Sequence, residues 1–326
     1  MTFGFLRAAL TAAAITLAAA PLSASAQEFT RPVRLIVPFA PGGTSDILAR
    51  LISPKLSDAI GQPVVVENRP GAAGNIGANA VAKAKPDGHT LLLMDVGSLA
   101  TAPSLFPNLT YDVEKDLAPV GMVMFGPYVM AANPKLPVKS VKELIDYSKA
   151  HPGELAVATS GVGGMNHITA VQVAKGLGVD WKTVPYKGGS AASRAVVSGE
   201  SKLIINGSTA TLPFVTNKQL VGIAVTGDHR IEKIPDVPTF KEAGLAAPNA
   251  GTWQGLLTTG GTPPALVKRL NEELNKILAM PDIQKKIAEQ GGSPRPGSPE
   301  DFKAWLNENI KSYGTVIHEA GIKIGG

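Results

Sequence analysis

Short apolar runs alternate with amphipathic stretches along most of this chain, and the alternation predicts strands and helices in turn. In the stretch 44–60, the apolar residues Ile47, Leu48, Leu51 and Ile52 recur at the spacing of one helix face. The apolar runs predict strands at 34–37, 64–67, 90–94, 128–132, 155–158, 182–184, 203–205 and 222–225. The amphipathic stretches predict helices at 44–60, 75–83, 141–150, 166–177, 191–198, 263–280, 282–289 and 299–320.

This order of elements predicts an α/β fold. Strands that alternate with helices form mainly parallel sheets with helices on both faces, and ligands bind beyond the carboxyl ends of such strands. The last third of the chain reads instead as helices with few strands between them. About 300 residues after the leader exceed what one hydrophobic core usually holds, so two domains are expected.

The first 26 residues predict a secretory signal peptide. Arg7 precedes an apolar stretch at 8–20, and small residues at 24–26 precede Gln27. We therefore expect export to the periplasm with cleavage after Ala26. The sequence contains no Cys, so neither a disulfide nor a Cys-ligated metal contributes to the fold.

Composition and motifs narrow the function. The chain has 31 Lys and Arg against 26 Asp and Glu, a net charge of +5, which loss of a leader with one Arg and no acid lowers to +4. The charges are scattered and only 5% of residues are aromatic, which argues against nucleic-acid binding. No G-x-S-x-G or H-E-x-x-H motif occurs, and the five His lack metal-ligand spacing. We predict no catalytic residue, no metal and no cofactor.

Two glycine-rich turns, at 38–46 and 159–168, each follow a strand and begin a helix. A helix start exposes unpaired backbone N–H groups that hold anions, and glycines let a ligand approach them. One such turn is also explained as an ordinary connection, but its repetition favours an anion site. Thr44 or Ser45 is expected to cap the first helix. The ligand-binding residues predicted from the two turns are Phe39, Ala40, Gly42, Gly43, Thr44, Asp46, Ser160, Gly161, Gly163, Gly164 and His167.

Other polar turns at strand ends add Ser98, Tyr186 and Asn206 to the predicted site. His167 has an equal alternative as a packed residue in the first turn of its helix. Tyr186 has an alternative place at the sheet edge. Turns of this kind in two regions of the sequence predict the two sides of one cleft.

The motifs also carry a resemblance that extends from residue 30 to residue 320. The matching positions are 38–43 with Asp46, 66–72, 75–77, 85–88, 111–112, 115–116, 160–163 with His167, 184–188, 235–239, 242–244, Trp253 with Gly255, and 261–263. On these residues the chain resembles the substrate-binding proteins of tripartite tricarboxylate transporters, the Bordetella-uptake-gene type of periplasmic receptor.

The resemblance implies a two-lobed type II periplasmic binding protein, a "Venus flytrap". Lobe 1 would combine 27–126 with 251–326, and lobe 2 would be 127–250. The lobes would close on a small mono- or dicarboxylate, and a monomeric receptor would deliver it to membrane transporter subunits. An exported hydrolase and a sensor subunit of a signalling system are the alternatives.

The sequence departs from the family pattern at three places: at Arg194, at His89, and at Thr258-Thr259-Gly260, where Ala-Pro-Ala is common. Arg194 lies in a helix where the family often has an acidic residue, and it would favour a second ligand carboxylate if it pointed inward. As a surface residue it would have no such role. His89 stands where Tyr is usual.

Overall fold

The computed structural model describes residues 29–245, 250–319 and 321–323. The predicted signal peptide lies outside the described residues. The strands are β1 (Val33–Val37), β2 (Val64–Asn68), β3 (Thr90–Asp95), β4 (Leu117–Ala132), β5 (Leu155–Thr159), β6 (Trp181–Pro185), β7 (Leu203–Gly207), β8 (Val221–Val225), β9 (Gly251–Thr259) and β10 (Ser293–Pro294). The α-helices are α1 (Thr44–Ile60), α2 (Asn75–Ala82), α3 (Val96–Leu105), α4 (Val141–Ala150), α5 (Met165–Leu177), α6 (Gly189–Ser198), α7 (Ser208–Thr216), α8 (Pro264–Leu278), α9 (Pro281–Ala288) and α10 (Pro299–Glu319).

The strands form a mixed sheet in the order β2-β1-β3-β9-β4-β7-β5-β6, and β8 and β10 also pair with β4. β1 runs parallel to β2 and β3, and β5 runs parallel to β6 and β7. β4 and β9 are antiparallel to their neighbours. Each lobe therefore contains a three-stranded parallel unit with connecting helices, as predicted, extended by antiparallel strands.

The long strand β4 connects the two lobes. Its residues 117–127 pair with β9, and the last of these pairs joins Pro127 to Gly251. From Tyr128 onward the same strand pairs with β7 and β8. One continuous strand thus changes partners at this point and carries the chain from one half of the sheet to the other.

Strand β1 shows why the parallel strands have continuous apolar sequences. Leu35 and Val37 pack with Leu48 of α1 on one face of the sheet. Ile36 packs with Met94 on the other face. Because successive side chains of a strand point to opposite faces, a strand covered by helices on both faces is apolar at every position.

Several elements differ from the predicted ones. β9, the first half of β4, α3 and α7 were not predicted, because the chain around 95–98 and 206–208 reads as polar turns. Residues 96–102 of α3 are all buried, and a helix buried on nearly all sides has no polar face to reveal its period. The predicted cap of α1 is also wrong: Gly43 is the N-cap residue and no side chain caps this helix.

Candidate ligand-binding cleft

A small cavity of about 40 Å³ lies between the two lobes. It is found at the carboxyl ends of β3 and β7 and at the first turns of several helices, which is where ligands bind in α/β sheets. Its walls are formed by Phe39, Gly43, Thr44, Ser45, Asp95, Ser98, Tyr128, Ser160, Asn166, Gly189, Asn206, Gly207, Thr252 and Gln254.

The start of α1 presents backbone donors to this cavity. Its N-cap Gly43 has an extended backbone and no side chain to accept from the first turn. The N–H groups of the first turn have no acceptor within a helix, so those of Thr44 and Ser45 are available to a ligand. The Ser45 hydroxyl instead donates to Gln254 Oε1 at 2.7 Å, which ties α1 to β9.

Asp46 supports this turn from behind and does not line the cavity. Its carboxylate accepts from the N–H of Gly42 and from Asn68 Nδ2, each at 2.9 Å, and pairs with Arg50. Burial alone would raise the pKa of Asp46, but the hydrogen bonds from Arg50, Gly42 and Asn68 outweigh it and hold the pKa below its ordinary value. Asp46 is therefore ionised and fixes the turn in place.

Helices α6 and α7 begin on the other side of the cavity in the same way. Their N-cap residues are Gly188 and Gly207, and neither helix has a side-chain cap. Asn206 Nδ2 donates to the carbonyl of Gly189 at 3.2 Å and to Thr211 Oγ1 at 3.3 Å, which holds the two helix starts together. Three glycine-capped helix starts thus converge on one space.

The start of α5 differs because other groups of the protein occupy its turn. The N–H of Gly163 donates to His167 Nδ1 at 3.1 Å, and Thr101 Oγ1 donates to the Gly163 carbonyl at 3.0 Å. The N–H of Met165 donates to Ser98 Oγ at 3.1 Å. Burial lowers the pKa of His167, so the ring is neutral and caps the turn.

Asn166, also at the start of α5, faces the cavity with an unused donor. Its Oδ1 accepts from the hydroxyl of Ser160 at 2.8 Å and from the N–H of Ser160 at 3.2 Å. Its Nδ2 has no hydrogen-bond partner within the described chain, although the residue is only 3% exposed. Since buried polar groups are nearly always satisfied, this amide indicates a missing acceptor in the cavity.

Asp95 is the charged residue of the cavity wall. It ends β3 and caps α3, where its Oδ1 accepts from the N–H of Gly97 at 2.9 Å. Burial raises the pKa of Asp95 to about 6, against hydrogen bonds from Thr252 and from backbone N–H groups. The Tyr128 hydroxyl lies 3.5 Å from its Oδ2.

The lobes are in direct contact around the cavity. Ser190 Oγ of α6 donates to the carbonyl of Pro41 at 2.9 Å, and the bonds of Ser98 and Thr101 to the α5 turn also cross between the halves. A Cβ added to Gly42 would lie 3.8 Å from that of Ser190. The structure therefore shows the lobes closed on the cavity.

The structure brings together six of the predicted site residues on the cavity wall: Phe39, Gly43, Thr44, Ser98, Ser160 and Asn206. Eight others are not on this wall: Ala40, Gly42, Asp46, Gly161, Gly163, Gly164, His167 and Tyr186. The Tyr186 hydroxyl bonds to Glu200 and Ser201 instead. Arg194 is exposed and does not reach the cavity either. Contact with a ligand remains a prediction for all fourteen.

Eight wall residues were missed by sequence reasoning. Asp95 and Gly207 lie just after the predicted strands 90–94 and 203–205. The polar turns at these strand ends were identified, but neither residue was predicted to line the cavity. Asn166 was predicted only as the first residue of the helix 166–177. Thr252 and Gln254 belong to β9, which had no sequence signal. Ser45, Tyr128 and Gly189 border predicted positions and were not singled out for ligand contact.

Within the described part of the chain, no group of three or more His, Asp or Glu residues is placed to hold a metal ion. Among those same residues, no helix is both long and apolar enough to cross a membrane. His89, a departure from the family pattern, is buried against Phe29 and lies at the start of β3, opposite the end that faces the cavity.

Comparison with known proteins agrees with this architecture. Residues 48–322 match the family described as "Tripartite tricarboxylate transporter family receptor". The chain belongs to this receptor family. The receptor is 36% identical over 307 residues to the protein BugT of Bordetella pertussis, and the match covers 94% of each chain.

Solved structures show the same fold. The receptor superposes on the periplasmic binding protein BugD with a TM-score of 0.86 and 32% identity, covering 90% of this chain and 99% of BugD. It superposes on MatC from Rhodopseudomonas palustris with bound malate, with a TM-score of 0.84 and 33% identity, covering 88% and 99%. The family and these neighbours are periplasmic solute-binding receptors, not enzymes.

Proposed function

We propose that this receptor captures a small organic carboxylate between its lobes and delivers it to the membrane subunits of a tripartite tricarboxylate-type transporter. The observation that carries the proposal is the buried Asn166 amide, which belongs to the cavity wall and whose Nδ2 has no acceptor among the described residues. It stands opposite glycine-capped helix starts whose N–H groups suit an anion. The malate bound to the related MatC is a carboxylate of this size.

The lobe boundaries belong to the same proposal. Lobe 1 comprises 27–126 and 251–326, and lobe 2 comprises 127–250. The change of partners along β4 at Pro127 and Tyr128 supports a hinge there. Opening about this hinge would separate Ser190 from Pro41 and admit the ligand. A periplasmic, monomeric receptor that loses its leader after Ala26 fits this role.

The binding energy follows from a few charge-assisted hydrogen bonds. Each contributes roughly 1.5–3 kcal/mol net, and several of them, less the cost of association and closure, give about −8 kcal/mol. That free energy corresponds to a micromolar dissociation constant. The backbone donors of α1 and the Asn166 amide supply such bonds.

Thermal unfolding with a panel of ligands tests the proposal. A ligand at a hundredfold excess over its dissociation constant adds roughly 2.7 kcal/mol to the free energy of unfolding, which raises the melting temperature by about 5 °C. We expect this shift with at least one aliphatic, aromatic or amino-dicarboxylic acid, and none with sugars, cationic amino acids or nucleotides. A shift with a sugar and with no acid would contradict the proposal.

The variant Asn166→Asp makes the test specific to the cavity. It keeps an oxygen for the Ser160 hydroxyl but replaces the unused donor with a negative charge. Calorimetry should show a carboxylate bound at least tenfold more weakly, about 1.4 kcal/mol. Asn108→Asp, an identical change at an exposed position, is the matched control and should bind normally. Equal affinity in the two variants would place the ligand elsewhere.

A further inference from the structure

The cavity has an unusual charge for an anion receptor. Among the described residues, its wall consists of glycines and neutral side chains together with Asp95, with no Lys, Arg or His. The groups of the described residues that act on the Asp95 carboxylate are Thr252, Tyr128, Tyr313 and backbone N–H groups, none of which is a cation. Of the charged side chains in the described part of the chain, a ligand carboxylate would therefore meet only that of Asp95 on this wall.

Helix capping does not explain this charge. Asp95 caps α3 through Oδ1, but Ser, Thr or Asn would cap the helix about as well without a charge. An ionised carboxylate in a closed cavity is costly to bury without a partner. Groups that are kept at such a cost are expected at functional sites. Among the described residues, Asp95 has hydrogen-bond donors but no cationic partner, so a cationic group of the ligand is the remaining candidate.

The cavity wall offers a ligand two kinds of polar group. The start of α1 and the Asn166 amide offer hydrogen-bond donors, which suit a carboxylate. Asp95 offers an acceptor with a full negative charge. A plain dicarboxylate satisfies the donors but brings a second negative charge toward Asp95. A zwitterion satisfies both kinds of group, because its ammonium group pairs with Asp95 while its carboxylate meets the donors.

We propose that Asp95 is the specificity-determining residue of this cleft and selects ligands that carry an ammonium group beside a carboxylate, that is, amino acids. The inference rests on the proposed function and narrows its ligand class. A ligand with a second positive charge is not favoured, because Asp95 is a single carboxylate and the cavity otherwise offers many hydrogen-bond donors.

Matched pairs of ligands test the inference directly. Alanine and propionate, aspartate and succinate, and glutamate and glutarate differ within each pair by one ammonium group. Calorimetry on the full mature receptor should show, in at least one pair, the amino acid bound at least tenfold more tightly than the plain acid. The plain acid binding as tightly or more tightly in every pair that binds would overturn the inference.

Variants at Asp95 assign the preference to this residue. In Asp95→Asn the ratio within the pair should fall to threefold or less, because the ammonium loses its charged partner while the carboxylate donors remain. Asp95→Ser, which keeps a capping hydroxyl, is a second variant with the same expected outcome. Asp228→Asn, at an exposed position, is the control and should keep the ratio of the unmodified receptor.

The possible failures are distinguishable. If both Asp95 variants fold and keep the tenfold ratio, the inference is wrong but the proposed carboxylate receptor stands. If no acid of either kind binds the unmodified receptor, the proposed function fails, and the inference fails with it.

Discussion

The starts of α1 and α5 have similar sequences but different surroundings. Each follows a buried strand and a glycine-rich turn, and each has a glycine as its N-cap residue, Gly43 or Gly164. At α1 the first-turn N–H groups face the cavity. At α5 the N–H groups of Gly163 and Met165 already donate to His167 and Ser98.

The difference shows that a glycine-rich helix start is an anion site only where no other group of the protein satisfies it. Ser98 and Thr101 lie more than 60 residues from the α5 turn in the chain, yet they fill its hydrogen bonds when the lobes are closed. The α5 start thus contributes to closing the cleft, whereas the α1 start remains open to a ligand. Near the start of α5, Ser160 and Asn166 line the cavity.

The largest expected effect is a change in stability on substituting Asp95, which lies at a third helix start, that of α3. Its cap Asp95 has a pKa of about 6 in the folded protein, against 3.8 for an ordinary Asp. The stability that this group contributes is fully present below about pH 3.8 and is lost as the pH rises through about 6. We expect Asp95→Asn to gain about 2 kcal/mol of stability relative to the unmodified protein between about pH 4.5 and 7.5.

Thermal unfolding of both proteins across this pH range measures the effect. The difference in melting temperature should grow by about 4 °C toward the higher pH. Tyr128 and Tyr313, which also feel Asp95, have raised pKa values and do not titrate in this window. A difference that stays constant with pH would show that Asp95 ionises normally, and that its charge carries no cost in the folded protein.

Substitutions at two glycines distinguish the role of the α1 start from that of the α5 start. Gly43 has a φ of −82°, and an added Cβ would meet only the Ala40 carbonyl, at an ordinary 3.6 Å. Gly43→Val should therefore keep the fold but weaken carboxylate binding at least tenfold, about 1.4 kcal/mol, because its side chain occupies the cavity. Circular dichroism and calorimetry check both expectations.

Gly163→Val should behave differently, although the sequence treats the two glycines alike. Gly163 has a φ of +81°, a conformation that β-branched residues avoid. The main effect of this substitution should be a loss of stability, measured as a lower melting temperature of the variant without ligand. If Gly163→Val stays as stable as the parent and blocks binding, the two turns are equivalent after all.

The sequence predicted the outline of this fold better than its site. The parallel strands and most helices were recognised, because a strand covered on both faces is apolar throughout and helices on its surface are amphipathic. β9 and α7 were not predicted, because neither sequence shows a clear hydrophobic period. The site depends on which distant residues meet, such as Gln254 with Ser45, and no local pattern encodes that.

Asn166 and His167 illustrate this limit at neighbouring positions. Both are buried polar residues in the first turn of α5. The sequence offered His167 equally as a ligand contact and as a packed residue, and in the structure its Nδ1 caps the turn and its Nε2 lies 3.2 Å from Thr183 Oγ1. Asn166 faces the cavity with a free donor. The two side chains point in different directions from the helix, so only Asn166 lines the cavity. Packing of the helix sets these directions.

Ser160 connects the α5 turn to the cavity, so its removal sharpens the comparison with α1. Its hydroxyl donates to Asn166 Oδ1 at 2.8 Å and so fixes the amide of a residue that lines the cavity. Ser160→Ala should weaken carboxylate binding about fivefold, roughly 1 kcal/mol, the usual value of one hydrogen bond. Calorimetry of the variant alone and combined with Asn166→Asp tests the coupling. Effects that simply add would mean that Ser160 does not act through Asn166.

The smallest expected effect concerns closure itself. Ser190 Oγ donates to the Pro41 carbonyl across the cleft, next to the α1 start. Ser190→Ala removes this bond from the closed form only, so less of the receptor is in the binding-competent state and the apparent affinity falls by about threefold. Solution scattering should show a larger radius of gyration for the variant without ligand, and the parent value once ligand saturates it. Ser198→Ala, whose hydroxyl bonds within α6, is the control and should change neither quantity. An unchanged affinity in Ser190→Ala would mean that this contact does not contribute to closing the lobes.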